Sequence, residues 1–261
     1  MIESLDKKIH VVADIIAAVE NTVVFTGAGV STESGIPDFR SPGGIWSRFD
    51  PDDFTIQKFL TSPETRQRQW KLLLESGLFL DAKPNKVHYA IAELEKIGKL
   101  NCVITQNIDG LHQKAGNQAE KVYELHGNMK RLRCLDCGKC FPLEEIVRRS
   151  ASEMELPLCE NCRGILKPDV IFFGEMLPAD ALKMATHHST HCDLFISVGS
   201  SLVVYPAAYM PLYAQKAGAK IVIINMAPTP YDSTADIIIN EMAGGVMEKI
   251  VDEVKKRISA R

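Results

Sequence analysis

Residues 22–40 read TVVFTGAGVSTESGIPDFR. Val23, Val24 and Phe25 form an apolar run without polar alternation, the pattern of a strand buried on both faces of a parallel sheet. The run stops at Gly27-Ala28-Gly29, where missing side chains let the backbone turn tightly and approach a ligand. A helix starting there would offer free N–H groups to a pyrophosphate. This is the front half of a dinucleotide site. The dehydrogenase fingerprint G-x-G-x-x-G is then broken, because its third glycine position is Thr32. In place of a clean helix comes Ser34-Gly35-Ile36-Pro37-Asp38-Phe39-Arg40, a turn-rich segment carrying an acid, an aromatic ring and a cation.

Working outward, three more apolar runs end in small or polar residues. Cys102-Val103-Ile104 leads into Thr105-Gln106-Asn107-Ile108-Asp109, residues 194–198 into Gly199-Ser200-Ser201, and residues 221–224 into Asn225. In an open parallel sheet, ligands sit outside the carboxyl ends of the strands, so four such ends predict one shared crevice. Helical patterns between them, at residues 87–97 and 178–187, supply the crossovers. The expected fold is α/β: a Rossmann-like parallel sheet with helices on both faces, in residues 1–45, 83–130 and 165–261. Two stretches interrupt the alternation. Residues 46–82 hold Trp46, Phe49, Phe54, Phe59, Trp70 and Phe79 and predict short helices over the crevice. Residues 131–164 hold five of the seven cysteines, and the two stretches together are expected to form a smaller domain.

Composition narrows the function classes. The net charge of −3 over 261 residues offers no broad electrostatic reason to bind DNA or RNA. Lys130, Arg131 and Arg133, or Arg148 and Arg149, could form local basic patches, but read more simply as solvated faces. The N-terminal residues show helical apolar spacing with Asp and Glu, unlike a signal peptide. Residues 194–215 are uncharged, but Gly199, Pro206 and Pro211 favour strand, loop and helix over a membrane span. A cytoplasmic protein that does not enter a membrane is expected.

Seven cysteines, an odd number, point to metal ligation or free thiols before a disulfide framework. Cys134-x-x-Cys137 and Cys159-x-x-Cys162 make a four-cysteine zinc pattern. Cys137-x-x-Cys140 is also a C-x-x-C, and spacing leaves that choice open. Gly138 directly after Cys137 suits a tight knuckle turn. Four protein ligands would close the coordination sphere, giving a structural zinc. Cys102 reads as a small core residue, and Cys192 gives no signal.

The reactive candidates are His126, in Tyr123-Glu124-Leu125-His126-Gly127, and His112, eight residues into the stretch that begins at Thr105. His126 is followed by Gly127, which removes bulk beside the ring, and lies just upstream of the cysteines. An imidazole suits general-base work near neutral pH. His187, His188 and His191 read as a helix end.

Together the string at residues 27–40, the segments around Gln106, His126 and Phe173, and the cysteine quartet resemble the sirtuins, NAD-dependent protein lysine deacylases. The resemblance covers nearly the whole chain, and it implies NAD as a co-substrate and one structural Zn2+. It favours Cys134 and Cys137 with Cys159 and Cys162 as the metal ligands. It makes His126 the base that deprotonates a ribose hydroxyl after acyl-lysine has displaced nicotinamide, yielding free lysine and O-acetyl-ADP-ribose. Phe39 would shield the reacting ribose from water. Ile108 and Asp109 would hold the nicotinamide carboxamide, and Gln106 and Asn107 the ribose. Gly27, Ala28, Gly29, Thr32, Asp38 and Arg40 belong to the loop on the phosphate side. Gly199, Ser200, Ser201 and Asn225 would serve phosphate and adenosine ribose. Ile171, Phe173, Gly174 and Glu175 resemble the strand that pairs with an acetyl-lysine peptide by its backbone. Rival expectations are mono-ADP-ribosyl transfer or another deacylation on the same scaffold, a hydride-transferring dehydrogenase, and an NAD-sensing binding module.

Overall fold

The structure is a computed structural model that describes residues 4–75, 81–150 and 156–259; Phe79 lies outside them. The strands in chain order are β1 (Thr22–Thr26), β2 (Cys102–Thr105), β3 (Val122–Glu124), β4 (Gly127–Cys134), β5 (Cys140–Pro142), β6 (Leu166–Val170), β7 (Leu194–Val198), β8 (Lys220–Ile224) and β9 (Ile237–Ile239). The helices are α1 (Leu5–Ala18), α2 (Ile56–Thr61), α3 (Pro63–Glu75), α4 (Lys86–Lys96), α5 (Leu111–Ala115), α6 (Leu143–Ser150), α7 (Ala179–Thr190), α8 (Met210–Lys216) and α9 (Ala243–Ser259).

Six strands make one parallel sheet in the order β3-β2-β1-β7-β8-β9. The order reverses between β1 and β7, and that reversal opens the crevice at their carboxyl ends. Alternate residues of each strand enter opposite cores, which is why the strand sequences are apolar throughout. Val24, Val103, Ile196 and Val222 pack against α1, α4 and α9. Val23, Phe25, Cys102, Ile104 and Phe195 pack on the other face, against Ala185 of α7 and Met210 of α8. Cys102 is a core residue, as its apolar setting suggested.

A second, three-stranded antiparallel sheet, β5-β4-β6, carries the cysteine knuckles. It shares a third apolar core with the helical insert: Phe59 and Trp70 pack with Leu132, Phe141, Ile146 and Leu166. β4 and β6 carry this sheet from Gly127 and up to Val170, several residues beyond the cysteine-rich stretch itself. The segment expected to cover the crevice, residues 46–82, is tied by its aromatics to the loop at Phe39 and to Phe173. Phe39, Trp46 and Phe54 follow one another at ring-centroid distances of 5.0 and 5.3 Å, and Trp46 reaches Phe173 at 6.3 Å. No described helix is long and apolar enough to cross a membrane; residues 194–215 fold as strand, loop and helix.

Candidate active site

The glycine string after β1 folds into two single 3-10 turns, Ala28–Val30 and Thr32–Ser34, instead of an α-helix. Gly29 donates its N–H to the carbonyl of Gly199 at 2.8 Å, and Gly27 donates to Val198 at 3.2 Å. The loops after β1 and β7 therefore touch backbone to backbone. A Cβ at Gly29 would lie 2.8 Å from the Gly199 oxygen, so no side chain fits without parting the loops. The close approach that sequence assigned to a ligand is first an approach of two loops.

Behind this contact lies a buried polar knot. Ser31 Oγ donates to Asp109 Oδ2 at 2.7 Å, and the Leu111 N–H donates to Asp109 Oδ1 at 2.9 Å. Asn107 Nδ2 donates to the Gly27 carbonyl and to Ser31 Oγ, both at 3.1 Å. Gln106 Nε2 donates to Ser200 Oγ at 2.7 Å, tying the β2 end to the β7 end. Ile108 is half-buried beside them, and its carbonyl accepts the Met129 N–H. Ser31 was missed as a site residue; its only sequence signal is a hydroxyl two residues after Gly29.

The turn-rich loop around Asp38 and the neighbouring strand ends hold the remaining candidates. Asp38 turns its carboxylate inward on its own loop, accepting the N–H of Arg40 at 3.0 Å and of Ser41 at 2.8 Å. It shapes the turn that presents Phe39 and Arg40. Arg40 is exposed and reaches Ser201 Oγ at 3.5 Å, while Thr32 Oγ1 donates to the Gly29 carbonyl at 3.0 Å. Asn225, at the β8 end, donates from Nδ2 to the Ala227 carbonyl at 2.7 Å.

His126 sits at the junction of the two sheets, between β3 and β4. Its Nδ1 lies 3.0 Å from the Gln106 carbonyl oxygen, which can only accept, so Nδ1 carries the proton and Nε2 keeps its lone pair. Burial holds the ring's pKa below the ordinary 6.5, against the opposing pull of the Gln106 carbonyl. Gly127 has a reason other than the one read from sequence. Its φ is +72°, and a Cβ there would collide with the carbonyl oxygen of Asp169. The rival, His112, is fully enclosed: its Nε2 lies 2.9 Å from Thr26 Oγ1, and burial drives its pKa well below 6.5.

The segment after β6 departs from a free edge. Ile171 donates its N–H to the His126 carbonyl at 2.9 Å. Phe173 donates to the Phe54 carbonyl and accepts from the Ile56 N–H, both at 3.0 Å, so both its backbone groups are engaged by the helical insert. Gly174 is exposed with φ +89°, and the Glu175 carboxylate turns inward to the Phe172 N–H at 2.7 Å.

The sulfurs of Cys134, Cys137, Cys159 and Cys162 converge within 4.8 Å of one another. Two of the spacings, Cys134 to Cys162 and Cys137 to Cys159, are 3.5 and 3.7 Å, against the edge of about 3.8 Å of a tetrahedral zinc thiolate site. The donor set fits one zinc ion with no open position. Cys140 stays outside it, exposed, with its sulfur near the Gly138 carbonyl. Both knuckles close alike, the Gly138 N–H bonding to the Cys134 carbonyl and the Arg163 N–H to the Cys159 carbonyl.

The Sir2 family model matches residues 27–206, from the first glycine of the string past the β7 loop. The NAD-dependent protein deacetylase of Thermodesulfovibrio yellowstonii is 48% identical over 254 residues, 97% of each chain. The chain belongs to the Sir2 family. A solved Sir2 enzyme covers 96% of this chain and 99% of its own at 47% identity, with a TM-score of 0.89. A Sir2 structure bound to an acetylated peptide covers 92% of this chain and 95% of its own at 40% identity, with a TM-score of 0.83. The knot at Asp109 and the base-ready ring of His126 thus lie beside the strand ends of a Sir2 fold, and the cysteine cluster within its small zinc-ribbon sheet.

Proposed function

We propose that this chain is an NAD-dependent protein lysine deacetylase, releasing nicotinamide and passing the acetyl group to ADP-ribose. One observation carries the reading: the hydrogen bond from His126 Nδ1 to the Gln106 carbonyl, which leaves Nε2 free to accept a proton where the two sheets meet. NAD, as co-substrate, supplies the electrophilic ribose carbon and the hydroxyl that accepts the acyl group. Gly27, Ala28, Gly29, Thr32, Arg40, Gly199, Ser200, Ser201 and Asn225 hold its phosphates and adenosine ribose. Ile108 and Asp109 address the nicotinamide end, with Gln106 and Asn107 at the ribose. Phe39, backed by Trp46, excludes water while positive charge develops at the sugar. His126 Nε2 then takes the ribose hydroxyl proton, and the Gln106 carbonyl steadies the imidazolium that forms.

The chain divides into a nucleotide-binding unit, residues 1–45, 83–130 and 165–261, and a small unit, 46–82 and 131–164, with β4 and β6 crossing between them. Cys134, Cys137, Cys159 and Cys162 hold the zinc, whose work is structural. Acetyl-lysine proteins or peptides dock along Ile171, Gly174 and the turn at Glu175, with no role for sequence-specific nucleic acid or membrane. Arg131, at 2.5 Å, and Arg133, at 4.0 Å, already face Asp169. Free thiols and a thiolate metal site suit a reducing compartment, and the cytoplasm is the proposed location.

The test is incubation with NAD and an acetyl-lysine peptide, reading all products. Nicotinamide, O-acetyl-ADP-ribose and free lysine in equal amounts support the proposal. ADP-ribosylated protein, NADH, or bound but unconsumed NAD would each replace it with a rival.

A further inference from the structure

Lys167 has no place in the scheme above, yet its ammonium is fully engaged. It lies on β6, opposite Arg133 of β4, and only 7% of its side chain is exposed. Its ammonium is 2.9 Å from Glu175 Oε2, 2.5 Å from the Val170 carbonyl and 3.3 Å from the Pro168 carbonyl. Those three acceptors match the three donors of an ammonium group. The same nitrogen lies 4.6 Å from the centre of the Phe172 ring. Glu175 closes the other end: Oε2 accepts the Phe172 N–H, and its own N–H donates to the Phe172 carbonyl at 3.0 Å. Residues 172–175 are thereby folded into a turn around Gly174, hung from the end of a strand in the zinc ribbon's sheet.

The turn is tied at two points, one just before it and one within it. Ile171 holds the His126 carbonyl, and Phe173 holds the insert at Phe54 and Ile56. An ion pair taken out of water adds little net stability over an apolar pair of the same volume. Its distinctive effect is to permit one geometry, and backbone pairing with a peptide is an interaction that needs one. We propose that Lys167 is a positioning residue: through Glu175 it sets the turn at 172–175 in the register that receives the acyl-lysine peptide. The inference rests on the deacetylase reading.

The experiment measures zinc content, melting temperature and steady-state kinetics for wild type, Lys167→Met, Lys167→Arg and Glu175→Gln, varying peptide and NAD separately. Lys167→Met and Glu175→Gln should raise KM for peptide about tenfold, as expected when a charged hydrogen-bond partner is lost. KM for NAD and kcat should stay within about threefold, since no residue that touches NAD is altered. Lys167→Arg, which keeps the charge, should restore most of the peptide affinity. If Lys167→Met proves too unstable, Lys167→Met combined with Glu175→Gln removes both partners without stranding a buried charge, and the same rise in peptide KM is expected. An unchanged peptide KM in folded, zinc-loaded variants overturns the assignment. So does a parallel fall of every parameter with melting temperature, which would mark a purely structural pair. A wild-type enzyme that deacetylates nothing overturns the functional reading first, and this one with it.

Discussion

Two histidines of the same composition differ in whether the fold leaves a ring nitrogen free and accessible. His126 and His112 were equal candidates by composition, and what separates them is accessibility and tautomer. His112 points its Nε2 at Thr26 and lies tilted against His88 at a ring-centroid distance of 5.0 Å, deep in the fold. His126 donates to a backbone carbonyl and keeps the other nitrogen free. Replacing His126 with Ala should cut turnover by about 10²–10⁴-fold while NAD affinity holds, because a missing base affects chemistry more than docking. Near-normal turnover in that variant would remove His126 from the mechanism. The acid limb of kcat/KM should have its midpoint below pH 6.5, because the base works only when neutral and burial lowers its pKa. Stability has its own acid limb. His88, held down to about 4, and His112 are neutral in the fold but protonate near 6.5 when unfolded. Below pH 6.5 the unfolded chain therefore binds more protons, and the fold should weaken by up to roughly 1.4 kcal/mol per pH unit for each histidine as pH falls toward 4. Unfolding midpoints in denaturant at pH 7, 6 and 5 measure that slope; a flat profile would mean both rings can be charged in place.

Among the elements, the parallel strands were the most legible, because burial on both faces leaves an uninterrupted apolar run that periodicity detects. The zinc knuckles were half legible. Two overlapping C-x-x-C pairs cannot be ranked by spacing, and the left-handed turn at Gly138 together with the convergence of four sulfurs selects Cys134 and Cys137. Cys140→Ser should accordingly keep one zinc per chain and an unchanged melting temperature, whereas Cys134→Ser and Cys159→Ser should lose both. Zinc retained by Cys134→Ser would bring Cys140 into the site. The segment at Ile171–Glu175 was legible only in part, because a sequence that looks like a strand edge cannot show that Phe173 pairs with the insert. The insert also bears on the acyl group expected. Sirtuins that take succinyl-lysine resemble one another in a Tyr-x-x-Arg pair, and none of the six tyrosines here is followed by Arg three positions on. The insert's own arginines are engaged elsewhere: Arg66 with the Phe59 and Leu60 carbonyls, Arg68 with Asp53, and Arg48 beside the Phe49 ring. An unpaired carboxylate entering that apolar neighbourhood is disfavoured. Acetyl-peptide should therefore exceed succinyl-peptide in kcat/KM by at least tenfold, the cost of about 1.4 kcal/mol. Equal rates would mean that one of these arginines leaves its partner.

For the whole molecule, the arrangement of its cores predicts how it comes apart. Two apolar clusters sandwich the parallel sheet and contain none of the four ligand cysteines. The third contains Cys134 and Cys159 and unites the ribbon with Phe59 and Trp70 of the insert. Structural zinc contributes roughly 10–16 kcal/mol of apparent binding free energy in small peptides at neutral pH, as much as the whole stability of a typical domain. A module of that size cannot replace such a contribution with its own packing. Chelation should therefore melt the third core first. The turn at 172–175 hangs from β6 of that sheet, so peptide binding should vanish with it. The glycine loops and the Asp109 knot draw instead on the β1, β2 and β7 ends, within the parallel sheet. NAD binding should survive, weakened by the loss of Phe39's aromatic partners. Titration of chelator followed by far-UV circular dichroism, zinc release and calorimetric NAD binding distinguishes the outcomes. Peptide affinity should track zinc release while most helical signal and NAD binding persist. A single transition that takes the sheet, NAD and peptide binding together would mean the three cores form one cooperative unit, with the zinc supporting all of it.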